Sequence, residues 1–71
     1  MLSEDVVAFR DVYYSYQDAL GRGLATPERL AALQKRINEF AWIFATAYPE
    51  SEEAALCFRK ASRILTEAPK N

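Results

Sequence analysis

The chain contains no histidine and a single cysteine, Cys57. One cysteine excludes an internal disulfide, and without histidine the common zinc ligand sets are out of reach. The familiar pairings of a nucleophile with a histidine base are missing as well. No enzymatic activity, metal or cofactor is therefore expected. Basic excess is also lacking: nine Lys plus Arg stand against ten Asp plus Glu. A duplex nucleic-acid binder carries a clear positive surplus, so that class is set aside. No apolar run approaches the roughly 18 residues of a membrane span, and no membrane partner is expected. The start, MLSEDVV, is acidic rather than basic, unlike a secretory signal. With one free cysteine this suggests a cytoplasmic setting.

Seventy-one residues suffice for one domain at most. A fold of this size buries only about 60% of its unfolded surface and usually needs a staple. With disulfide and zinc excluded, self-association remains, and a homo-oligomer is expected.

Glycine and proline are sparse, two and three residues, and they punctuate a helical pattern. Helix 1 is expected over about 4–20. Ser3 stands as its N-cap, with Glu4 and Asp5 in the first turn, where the dipole favours anions. Leu2, Val6, Phe9, Tyr13, Tyr16 and Leu20 recur at steps of three and four as one apolar stripe. Gly21 and Gly23 end the helix. Thr26 caps helix 2, about 27–48, with Pro27 at its first position. Leu30, Leu33, Ile37, Phe40, Phe44 and Ala47 form its apolar stripe, heptad-like in spacing. Pro49 stops the helix, and Ser51 caps helix 3, about 52–68. Its stripe is Ala54, Cys57, Phe58, Ala61, Ile64, Leu65 and Ala68, rich in small residues that allow close approach to helix 2. Pro69 ends it. The expected architecture is all-α: three antiparallel helices dominated by a helix 2–helix 3 hairpin.

Two groups of residues fall outside this packing scheme. Antiparallel folding gathers Arg29, Lys35, Arg36, Arg59, Lys60 and Arg63 at one end of the hairpin, where helix 1 delivers Tyr13, Tyr14 and Tyr16. Rings that stack on bases, beside cations that hold phosphate oxygens, suit a nucleotide. The ligand candidates are Tyr13, Tyr14, Tyr16, Arg29, Lys35, Arg36 and Arg63. The plainer reading makes Tyr13 and Tyr16 core and the basic residues a solvated face. The second group is Val7, Tyr14, Trp42 and Leu56, apolar residues off the stripes. They read as an interface, with scattered surface residues as the alternative. Glu50, Glu52 and Glu53 are explained by the dipole of helix 3, and Cys57 by its place on a buried stripe. The ladder Ala54, Phe58, Ala61 has a faint look of a tetratricopeptide helix, but Pro69 comes too late for that repeat.

From Leu33 to about Lys60 the chain shows an apolar residue, then Phe40-Ala41 followed by Ile43 or Phe44. After the turn comes P-x-S-x-E-x-x-L, formed by Pro49, Ser51, Glu53 and Leu56. In this register it resembles the helical hairpin domain of phage anti-CBASS and anti-Thoeris sponge proteins. It departs from that pattern at Leu30, Gln34 and Ile64-Leu65-Thr66. The resemblance implies a symmetric oligomer with pockets between protomers that withholds a cyclic oligonucleotide or related nucleotide messenger from a host effector. It also implies the cytoplasm of an infected bacterium as the setting. The competing expectation is a protein–protein module, an adaptor or inhibitor, anchored by Trp42, Leu56 and Tyr14.

Overall fold

A computed structural model describes residues 1–23 and 26–67, with side chains through Thr66. The chain forms three helices, α1 (Leu2–Gly21), α2 (Pro27–Thr46) and α3 (Glu52–Glu67), and among the described residues no strand. The helix 3 positions Ala68 and Pro69 lie outside the described residues.

The helix starts show how local chemistry sets the boundaries. Thr26 has extended backbone and its hydroxyl oxygen accepts from the Arg29 N–H at 3.1 Å, with Pro27 following at the first helical position. The Ser51 hydroxyl oxygen likewise accepts from the Ala54 N–H at 3.2 Å. Ser3 does not cap α1. The helix begins two residues earlier, with Met1 as the cap and no side-chain cap bond. Leu2 packs on the core and draws the first residues into the helix, where the Asp5 N–H donates to the Met1 carbonyl. At the other end Gly21 stays helical, and Gly23 takes the left-handed conformation at φ 65°. Helix α2 stops at Thr46, earlier than expected, because Pro49 disfavours helical geometry in the residue before it.

An aromatic cluster joins α1 to α2. Phe9 meets Phe44 edge-on at 5.5 Å between ring centroids and Phe40 at 5.9 Å, while Phe40 and Phe44 stack at 6.1 Å. Ile37 and Phe44 are the largest fully buried side chains. Helix α2 runs back along α1. The Tyr48 hydroxyl, just past the end of α2, donates to Asp5 near the start of α1 at 2.5 Å, and Gln34 donates to the Tyr16 hydroxyl at 3.5 Å. After the turn at 47–51, α3 packs on α2 more extensively than α1 does. Ala54 and Ala61 are fully buried, as small side chains at a close helix contact require.

The expected stripes form the core in the main, with Leu30, Leu33 and Leu65 packed against it, and differ at their edges. On α1 the buried line is Val6, Phe9, Val12, Tyr16 and Ala19; Tyr13 is half-buried and Leu20 is exposed. The cause is that α1 has two neighbours. Phe9 and Tyr16 face α2, whereas Tyr13 faces α3. On α2, Ala41 is buried and Ala47 is exposed. On α3, Phe58 does not join the buried line. The alanines bring α3 too close to α2 to admit a phenyl ring there, and Phe58 lies over the edge, 40% exposed.

Candidate functional site

Among the described residues, a groove of about 200 Å³ between α1 and α3 is more enclosed than the shallower dips elsewhere on the surface. Val6 and Phe9 from α1 and Cys57 from α3 form its floor. Tyr13, Tyr14 and Leu56 form its walls, and Arg10, Glu53 and Lys60 bring charge to its edge. Helical spacing builds it: Val6, Arg10, Tyr13 and Tyr14 project on one side of α1, and Glu53, Leu56 and Lys60 on one side of α3. Position 13 thereby meets position 60, and the Lys60 ammonium lies 5.9 Å from the centroid of the Tyr13 ring. The Tyr14 ring stands nearly perpendicular to that of Tyr13, centroids 5.7 Å apart, and is itself 60% exposed. A flat ring open to solvent, with two cations against the one carboxylate of Glu53 at the same groove, can accept a planar anionic ligand. Burial pushes the Cys57 thiol above its ordinary pKa, with Lys60 opposing and Glu53 reinforcing the shift. The thiol stays protonated at neutral pH and serves as apolar floor rather than nucleophile.

The expected site residues separate in space. Tyr13 and Tyr14 enter the groove. Tyr16 does not: it is 3% exposed, and its ring has no free face on which a base could stack. Arg29, Lys35 and Arg36 are exposed on α2 and do not line the groove. Arg63 is exposed on the other flank of α3, beside Phe58, Arg59, Ser62 and Thr66. Arg10 and Lys60 supply the groove's positive charge instead. Each was marked by its neighbours in sequence, Arg10 by Val7 and Tyr14, Lys60 by Leu56. Only the packing of α1 beside α3 merges those two faces.

The off-stripe residues Val7, Tyr14, Trp42 and Leu56 are all exposed, at 56%, 60%, 68% and 55%. They do not make one patch. Tyr14 and Leu56 border the α1–α3 groove, with Val7 two turns from Tyr14 on the same helix face. Trp42 lies across the molecule in a shallow groove between α2 and α3, with Phe58.

At the end of the bundle nearest the 47–51 turn, the hydrogen bond to Asp5 raises the Tyr48 pKa most, with burial and the negative charges of Asp5 and Glu4 adding to it. A tyrosine pKa raised by folding gives stability that is complete below the unfolded value near 10 and is lost as pH rises through the folded value. The melting temperature should therefore fall above pH 10 more steeply in the native chain than in Tyr48→Phe, and Tyr48→Phe should melt lower at neutral pH. Circular dichroism melts across that range check both. Parallel curves would show that the bond contributes nothing.

Among the described residues no cluster of acidic or cysteine side chains is arranged to hold a metal ion, and no helix is long and apolar enough to cross a membrane. Among the described residues, fold and groove together define an all-α chain with an aromatic, charged cleft between α1 and α3. Comparison with protein-family models, curated proteins and solved structures yields no match.

Proposed function

We propose that this chain is a non-enzymatic binding protein that sequesters a cyclic nucleotide messenger within the cytoplasm of an infected bacterium, acting as a small homo-oligomer. The observation that carries this reading is the meeting of Tyr13 and Tyr14 with Arg10 and Lys60 in one groove. The exposed Tyr14 ring stacks on a base, and the cations hold phosphate oxygens through charge-assisted hydrogen bonds. No bond is broken; the ligand is withheld. An antiparallel helix 2–helix 3 hairpin completed by a second copy belongs to the same proposal. Arg29, Lys35, Arg36 and Arg63 do not line the groove of their own chain, and serve the ligand only from a neighbouring copy.

A thermal-shift screen against cyclic di- and trinucleotides, with linear nucleotides as controls, tests the reading. A ligand at a hundredfold excess over its dissociation constant stabilises by about 2.7 kcal/mol. In a domain this small the shift is roughly ten degrees or more. Removing Arg10 and Lys60 together should abolish it, and Tyr14→Ala should weaken binding by about five- to a hundredfold, the worth of one stacked base. Lys35→Ala with Arg36→Ala should leave affinity unchanged if the groove of a single chain is the whole site, and should lower it if copies share the pocket. A flat panel with well-folded protein would retire the reading. The exposure of Trp42, Tyr14 and Leu56 favours a second one, a protein–protein module. Such a module should gain stability only from its protein partner.

A further inference from the structure

Trp42 and Phe58 expose large aromatic surface on the side of the molecule formed by α2 and α3, away from the tyrosine groove. We propose that this face is where a second copy of the chain docks, about a twofold axis, with each Trp42 ring seated over the Ala45–Ser62 dip of its partner.

Charge selects the occupant. The shallow groove is lined by Asn38, Ala41, Trp42, Ala45, Thr46, Phe58, Ser62 and Leu65, none of them charged. In a chain with 27% charged residues that is an unusual stretch of helix surface. A twofold contact sets a face against its own copy, so like charges near the axis repel each other. The α1–α3 groove carries Arg10, Lys60 and Glu53, charges that a twofold contact there would have to desolvate; the lining of the Trp42 groove has none. Charge is confined to its flanks: Lys35 and Glu39 on α2, and Arg59 and Arg63 on α3, all exposed. Pairing α2 of one copy with α3 of the other, in a register that sets Glu39 against Arg59, joins opposite charges across the contact. An uncharged aromatic centre inside a polar rim is the usual anatomy of an interface. Ala45 and Ser62 supply the hole that a bulky ring needs. A core this small also gains most from a partner that is always present.

Trp42 is the sole tryptophan, so its fluorescence reports this face directly. Sedimentation equilibrium and tryptophan emission are measured on the full chain from low-micromolar to sub-millimolar concentration. A dimer mass and a blue shift of the emission should appear together as concentration rises. Trp42→Ala and Ala45→Glu should each leave a monomer. Both positions are exposed, so helicity by circular dichroism should persist. Glu39→Arg and Arg59→Glu should each weaken the dimer, and together restore it. A folded monomer with solvent-exposed Trp42 at every concentration overturns the proposal and leaves the face to a different protein. A dimer that survives Trp42→Ala and Ala45→Glu but is lost in Leu56→Asp overturns it in favour of the α1–α3 side. This inference rests on the homo-oligomer of the proposed function but not on its ligand: a flat ligand panel leaves this face intact, and a monomer removes the oligomer while leaving the groove of the single chain to be tested by ligand.

Discussion

Phe44→Ala should leave most of the protein unfolded in dilute buffer at 25 °C. Phe44 is 2% exposed and forms ring contacts with Phe9 and Phe40. Truncating a buried phenylalanine costs about 3–5 kcal/mol, the lost transfer energy plus the cavity left behind. The core of a domain this small supplies roughly 3–5 kcal/mol of net stability. The two quantities are of the same size, so the loss should be close to total. Neighbours can do little to fill the gap, because Phe9 and Phe40 are held by each other as well as by Phe44. Phe44→Leu keeps most of the volume and should remain folded with a lower melting temperature. Urea titration followed by circular dichroism at 222 nm, the standard helix signal, measures both. If Phe44→Ala kept a full helical signal and a sharp transition, the aromatic cluster would not be what joins α1 to α2.

Ala61→Leu should destabilise by the opposite mechanism. Ala61 is fully buried within the core. Added methylenes at a packed position force side chains off their rotamers and shift backbone, at about 1–3 kcal/mol and sometimes more. Here α3 can relieve the clash only by moving away from α2, which would also loosen Ala54, Cys57 and Ile64 on the same buried line. The melting temperature should drop by roughly ten degrees, at about 4–8 degrees per kcal/mol for a domain of this length. The same change at exposed Ala55 should be nearly neutral and serves as the control. Equal effects at the two positions would mean that the α2–α3 contact is not close-packed at Ala61.

These two substitutions also mark what can be read from a linear chain and what cannot. Phe44 and Ala61 both sit on stripes that recur at steps of three and four, and the pattern alone assigns them to the interior. Phe58 sits on a similar step and is not interior. Periodicity gives the direction of a face to within about a quarter turn, and the edge of the buried arc is decided by how near the next helix comes. Alanines at 54 and 61 bring α2 and α3 together, and the ring at 58 is displaced to the rim. Tyr16 and Tyr13 show the same limit in reverse. Both belong to the α1 stripe, yet one faces α2 and is sealed while the other leans toward α3 and borders a groove.

The candidate site was legible in kind but not in membership. Tyrosines beside cations could be anticipated, with Lys60 among those gathered near them; that Arg10 joins the groove while Arg29, Lys35, Arg36 and Arg63 stay out of it could not. Arg29, Lys35 and Arg36 are close to the tyrosines only if one end of the hairpin is treated as a single surface, whereas none of the three lines the α1–α3 groove. Arg10 and Lys60 belong to helices that are not neighbours in sequence, and no spacing rule relates them.

By itself the sequence determined three helices, their breaks at glycine and proline, the caps Thr26 and Ser51, and the exposure of Val7, Tyr14, Trp42 and Leu56. These follow from short-range physics: backbone preference, capping hydrogen bonds and the helical repeat. The tertiary structure alone decided that Arg10 shares a groove with Tyr13 and Lys60, that Tyr16 is sealed while Tyr13 is not, and that the exposed apolar residues divide into two faces. Those outcomes depend on where one helix lies against another. That is set by the volumes of side chains far apart in sequence, which no local pattern encodes.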